Sequence, residues 1–257
     1  MSIELTRRRF MLLASSAIAV SAMAAGEAEA NATDEAYPIG DGKVIFRTFN
    51  YGPGRMCFAP HYSEQTCVRA AESVLKQRGG TIIQLVHPGG RNISFRLKGK
   101  QYVFDPNRIF TEPGIRNTLS NLGRNYSDEA HALVRAFAEE ILHRVAGHGA
   151  LIALHNNTGG TYSFKSYQAG GEYVSSVTAL HANLAMNPSD FFFTTNPSLY
   201  SAIAIANFNV ALQVGRRIPD DGSLSVYYGQ RGMDYVNIES LVPHLAVQTQ
   251  MIEAIAY

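Results

Sequence analysis

The sequence predicts one α/β domain, a mixed, mostly parallel twisted sheet with helices on both faces. A short strand, Met56-Cys57-Phe58-Ala59, is followed by a stretch from Glu64 to Gln77 and then by a strand from Thr81 to Val86. In the middle stretch Cys67, Ala70, Ala71, Val74 and Leu75 recur at spacings of three and four, so the three segments read as a β-α-β unit. Ala150-Leu151-Ile152-Ala153-Leu154 is apolar throughout, the pattern of a central strand covered on both faces. Setting the first thirty of the 257 residues aside leaves 227, the size of one large domain.

Those thirty residues read as an export signal. A basic cluster, Arg7-Arg8-Arg9, precedes an apolar run from Phe10 to Ala25 and a small-residue end at Ala28-Glu29-Ala30. Thr6 to Met11 is close to the twin-arginine pattern, so the expected location is periplasmic or secreted by that route. The apolar run is shorter than the roughly 20 residues a membrane-spanning helix needs, so no stable membrane anchor is expected after cleavage. Residues 31–42 are small and polar and read as a flexible lead, which puts the main domain at 43–257.

Val44 to Phe49 is β-branched and aromatic and reads as a strand stopped by Gly52-Pro53-Gly54. After the β-α-β unit, Arg91 to Leu97 alternates polar and apolar, and Gly99-Lys100 turns it into Gln101 to Phe104 as a hairpin. Residues 111–126 read as irregular. Ser127-Asp128-Glu129 offers an N-cap with acidic residues in the first turn, so a helix is expected from there to about Val145. Residues 156–189, rich in Gly, Ser and Tyr, read as a long functional loop over a substrate pocket. Phe191 to Thr195, Asn207 to Val214, Leu224 to Tyr228 and Tyr235 to Ile238 read as strands, with helices from Ser198 to Ala206 and from Pro243 to about Ala256.

A net charge of +1 and the absence of any Lys/Arg run after the signal exclude an electrostatic footprint for nucleic acid. Cys57 and Cys67, with nine residues between them, leave two readings open: a disulfide in an oxidising compartment, or two buried thiols.

Hydrolytic zinc is commonly held by three His or carboxylate side chains, with the fourth position left to water. His61-Tyr62-Ser63-Glu64 offers two such ligands and His155 a third, and both imidazoles stand at the carboxyl ends of expected strands. With eight His and thirteen Glu in the chain, a His-x-x-Glu pair arises by chance roughly 0.4 times, so the pair alone decides nothing. Its place at a strand end, with Asp105-Pro106-Asn107-Arg108 between it and His155, does.

In this order of motifs the chain resembles the zinc carboxypeptidase superfamily, and more closely its compact branch with succinylglutamate desuccinylase and aspartoacylase. The resemblance spans roughly 43–240 and implies a zinc-exopeptidase-like fold holding one Zn ion on His61, Glu64 and His155. It implies that Asn107 and Arg108 hold a substrate carboxylate, and Arg108 suits this because a guanidinium forks onto a carboxylate with two parallel hydrogen bonds. Arg91 would stabilise the oxyanion, with Arg96 and Arg116 as competitors, and Glu239 would be the general base. Two departures stand out: Tyr62 follows the first His where the compact branch usually has Gly, and Pro106 precedes Asn107.

The expected partner is therefore a small molecule or peptide with a free carboxylate, cleaved at the neighbouring amide or peptide bond, with cell-wall peptides as the envelope substrate. Two alternatives remain at this point: a deacylase of small N-acyl amino acids, and a non-catalytic carboxylate-binding protein of the same fold. A serine hydrolase finds no Gly-x-Ser-x-Gly elbow. Asp105 reads as a supporting residue. His87 is a second-tier candidate for the pocket wall, and His131, His143, His148, His181 and His244 read as structural.

Overall fold

The computed structural model describes residues 31–147, 149–160, 162–214 and 218–256, so the expected export signal at 1–30 lies outside the described residues. Eleven strands and six α-helices are described: β1 (Asn31–Ile39), β2 (Gly42–Asn50), β3 (Met56–Ala59), α1 (Gln65–Arg78), β4 (Thr81–Val86), β5 (Ile93–Leu97), β6 (Lys100–Phe104), α2 (Glu112–Asn121) and α3 (Asp128–Val145) make up the first part. The second part runs β7 (Leu151–Asn157), β8 (Ala179–His181), β9 (Phe191–Thr194), α4 (Pro197–Ile205), β10 (Val210–Leu212), α5 (Leu224–Gln230), β11 (Tyr235–Leu241) and α6 (Leu245–Glu253). Among these residues no helix is long and apolar enough to cross a membrane.

Nine strands form one sheet in the order β1-β2-β4-β3-β7-β11-β9-β10-β8, and β5 with β6 forms a separate hairpin. Its central strands β4, β3, β7 and β11 run parallel, while β1, β2 and β9 join by antiparallel pairing. Period-two alternation divides the core. Met56 and Phe58 of β3 and Leu151 and Ala153 of β7 face one layer with α2, α3, α5 and the hairpin. Cys57, Ala59, Ile152 and Leu154 face the other, with α1, α4 and α6. The sheet is thus covered on both faces, as its apolar strands require. Phe137 of α3 anchors the first layer, its ring centroid 5.6 Å from that of Phe46 and 6.0 Å from that of Phe104. Burying one such ring contributes about 1.5–3 kcal/mol.

Several expectations are corrected. Residues 31–39 are not a flexible lead but an edge strand paired with β2 along its whole length, with Asp34 and Arg47 opposite each other and joined at 2.7 Å. Within 111–126 lies α2, capped by Thr111 and carrying Pro113 in its first turn, where proline's missing N–H costs nothing. Leu224 to Tyr228 is helix α5 rather than a strand: the Ser223 hydroxyl accepts from the Val226 N–H and starts it. In the stretch 207–214 only Val210–Leu212 is strand. The loop 156–189 carries two 3-10 turns, Phe164–Tyr167 and Val174–Ser176, and the short β8. Cys57 and Cys67 are buried free thiols, which settles the choice between thiols and a disulfide. Burial pushes the Cys57 thiol up to about 12, and the Cys67 Sγ donates to the Glu64 carbonyl at 2.8 Å.

Candidate metal centre

Pro60 and His61 leave β3 at its carboxyl end, and Glu64 occupies the N-cap of α1 without capping it. Its side chain turns instead toward the imidazoles. The helix start is capped from outside: the Cys67 N–H donates to Asn156 Oδ1 at 2.8 Å, and the Asn156 N–H donates to Glu64 Oε2 at 3.1 Å. The Asn156 amide also donates to Gln248 Oε1 at 2.8 Å, tying β7 to α6 behind the site. Sequence reading misses Asn156, because its partners stand far away along the chain.

His61, Glu64 and His155 converge, with one donor atom of each lying within 4.8 Å of the other two, and all three residues are buried. His61 Nδ1 stands 3.0 Å from Glu64 Oε1, and His155 Nδ1 stands 3.1 Å from Glu64 Oε2. Despite that distance His61 Nδ1 has no hydrogen-bond partner among the described residues, and it is wholly buried. A buried ring nitrogen left unpaired costs about 1–3 kcal/mol, and a cation shared with Glu64 and His155 removes that cost. The opposite nitrogen, Nε2, is 2.8 Å from Asp105 Oδ1. A carboxylate behind a ligating imidazole fixes its tautomer and orientation. Two imidazoles and a carboxylate with such support fit a divalent metal.

Burial opposes charge on these groups, but mutual attraction outweighs it. His61 and His155 hold the Glu64 carboxyl well below the usual carboxylate range, and His61 with Arg91 and Arg108 does the same for Asp105. The His61 pKa is raised by Glu64 and Asp105 against its burial.

Glu239 lies in register beside His155, on the neighbouring parallel strand β11. Tyr235, Asn237 and Glu239 share one face of β11, and Asn237 Nδ2 donates to Glu239 Oε1 at 3.3 Å while its Oδ1 accepts from the Tyr235 hydroxyl at 3.4 Å. Burial raises the Glu239 pKa above its ordinary value, with His155 pulling the other way.

A cavity of about 670 Å³ connects these groups and is lined by Glu64, His155, Glu239, Asn107, Arg108 and Arg91 among others. Arg108 Nη1 donates to the Asn107 carbonyl at 2.9 Å, and Nη2 lies 3.7 Å from Asp221. Asn107 Oδ1 accepts from the Leu224 N–H at the start of α5, and its Nδ2 lies 3.5 Å from His155 Nε2. Arg91 bridges Glu64 and Asp105, the latter at 3.6 Å. The competitors are elsewhere: Arg96 bonds within its hairpin, and Arg116 covers the Tyr126 ring. Gly222 and Gly114 meet so closely behind Arg108 that a Cβ on Gly222 would lie 2.5 Å from Gly114 Cα. The loop expected over the pocket forms one wall through Tyr162, Tyr167 and Tyr173, the first two joined hydroxyl to hydroxyl at 2.8 Å. His87 lines a different cavity. His131 and His244 are held by hydrogen-bond contacts to Glu112 and Asp190, 2.8 Å and 2.7 Å away, and serve the structure rather than the site.

The fold and site define an α/β domain with a buried His-Glu-His cluster at the carboxyl edge of its central parallel strands. Among solved structures, the murein-tripeptide amidase MpaA from Escherichia coli O157 aligns over 90% of this chain and 95% of its own, at 11% identity and a TM-score of 0.44. A succinylglutamate desuccinylase/aspartoacylase from Rhodobacter sphaeroides aligns over 90% of this chain and 66% of its own, at 12% identity and a TM-score of 0.43. No protein-family profile matches the chain, and no curated protein matches it by sequence.

Proposed function

We propose that this chain is an exported zinc hydrolase of carboxypeptidase or amidase type, cleaving an amide or peptide bond next to a free carboxylate. The observation that carries the reading is that buried Glu239, aligned with His155 of the His-Glu-His cluster, shares one cavity with Arg108. A zinc ion held by His61, Glu64 and His155 would supply the Lewis acidity that acidifies a water molecule and polarises the scissile carbonyl.

This chain's own side chains do the rest. Glu239, held by Asn237, accepts the proton of the attacking water and returns it to the amine that leaves when the C–N bond breaks. Arg108 takes the substrate carboxylate, and the Asp221 carboxylate beside it sets the fork's orientation. Arg91, half exposed at the cavity mouth, stands where it can turn from Glu64 to the developing oxyanion. The cavity, about 670 Å³, is the size of a pocket for a short peptide. Cell-wall peptides are the substrate class an exported enzyme of this kind meets.

The test is to purify the mature protein, count its bound metal, and analyse by mass spectrometry its reactions with cell-wall peptides and with N-acyl amino acids. One zinc per chain and chelator-sensitive release of a carboxylate-bearing amine from the peptides is expected. No zinc-dependent turnover of either class overturns the reading.

A further inference from the structure

We propose a second binding site, for a small carboxylate with a branched apolar body, behind the turn that carries His61 and Glu64. It is a cavity of about 500 Å³ that shares no lining residue with the catalytic cavity. Sheet register makes it. Residues 45–50 of β2 pair with β4, but β4 ends at Val86 while β2 continues to Gly42. The chain leaves the sheet at His87 and the turn Pro88-Gly89-Gly90, and the gap beside Lys43 stays open. Ile45, Val86 and Ile93 supply its apolar walls, and Tyr62 closes one side with its ring centroid 6.2 Å from that of His87.

His87 points to the ligand's chemistry. Its imidazole is only 5% exposed, and Nε2 is buried without a hydrogen-bond partner among the described residues. The Gly89 N–H donates to Nδ1 at 3.3 Å, which makes Nδ1 the acceptor and leaves the ring proton on Nε2. The unpaired group is therefore a donor, and it calls for an acceptor. Lys43 and Ser94 also line the cavity, and no carboxylate does among the described residues, so the acceptor that fits carries negative charge. The site touches the reaction only through its walls. The Ser63 N–H donates to the Gly90 carbonyl at 3.2 Å, so an occupant rests against the segment that joins the two turns and carries Arg91. An effector or released acid fits this position better than the scissile substrate.

The probe is 3-methylbutanoate, with 3-methylbutan-1-ol as its uncharged counterpart. Each is titrated into the metal-loaded mature protein carrying Arg108→Met, so that the catalytic cavity's guanidinium contributes nothing. The readout is the histidine ring ¹⁵N–¹H spectrum. Saturable movement of the His87 Nε2–H signal by the acid is expected, with the alcohol at least about tenfold weaker. Lys43→Met should weaken the acid about threefold or more while leaving the alcohol unchanged. His87→Phe removes that signal, and its affinity for the acid, read by calorimetry, should fall about tenfold or more. An unmoved His87 signal, equal binding of acid and alcohol, or affinity for the acid unchanged in Lys43→Met overturns the proposal. The lysine arm stands even if His87→Phe fails to fold.

Discussion

Glu239 and His155 occupy paired positions on adjacent parallel strands, so the sheet itself fixes the distance between the candidate base and a candidate metal ligand. Neither residue depends on a loop for its place, the arrangement that holds a reacting constellation most rigidly. Replacing Glu239 with Gln keeps the shape and the hydrogen bond to Asn237 but removes the proton acceptor. A drop in kcat of about 10²–10⁴-fold is expected, with bound metal per chain unchanged. Steady-state kinetics beside metal analysis reads both. Full biological activity of Glu239→Gln would favour the non-catalytic binding protein instead.

Asp105 reaches His61 Nε2 at 2.8 Å and also accepts from the Asn107 N–H at 2.8 Å, so one carboxylate orients both a candidate metal ligand and the start of the proposed carboxylate-binding pair. Asp105→Asn keeps the volume and loses the charge. Metal affinity should fall about 10–100-fold, as it does when the group behind a ligating imidazole is removed. Competition against a chelator of known affinity measures it. An unchanged affinity would remove Asp105 from the site.

Arg108 predicts a selective loss. A hydrogen bond to a charged partner is worth about 1.5–3 kcal/mol, so Arg108→Met should lower kcat/KM about 10–100-fold for substrates with a free carboxylate. The same substrates with that group amidated should react at similar rates in both proteins. An equal loss on both would assign Arg108 to the structure of the pocket rather than to recognition.

The parts of this architecture written locally are legible in the sequence, and the parts made by distant partners are not. His61, Glu64, His155 and Glu239 are readable because two short strand-end patterns and an acid after an apolar strand carry their own signal, and the structure brings the first three together. Asn156 carries none: its use is to accept from the Cys67 N–H in the first turn of α1, 89 positions away in sequence. Leu224 to Tyr228 reads as a strand because β-branched and aromatic residues favour strands on average, whereas the Ser223 cap and the Asn107 amide on the Leu224 N–H fix a helix there. The strand at 31–39 is polar and lies at the sheet's edge with one neighbour, so no buried alternation marks it.

His87 makes the acid limb of stability testable. Burial, with the His61 charge adding to it, pulls its pKa down to about 4 from the ordinary histidine value of 6.5. Between those two values the unfolded chain binds a proton that the folded chain refuses, so stability falls as pH drops from 6.5 toward 4 and is unaffected by this group above 6.5. The full contribution is on the order of 3 kcal/mol, because each pH unit between the two values is worth about 1.36 kcal/mol. Glu64 and Asp105, whose carboxyl pKa values the fold lowers, also lose their contribution toward acid pH, so the quantity to compare is the difference between the wild-type protein and His87→Phe, unfolded by urea at a series of pH values. The variant should lose less stability than the wild type from pH 6.5 to 4, by up to that amount. Parallel pH curves for the two proteins would mean that His87 takes up its proton in the folded state as readily as in the unfolded one.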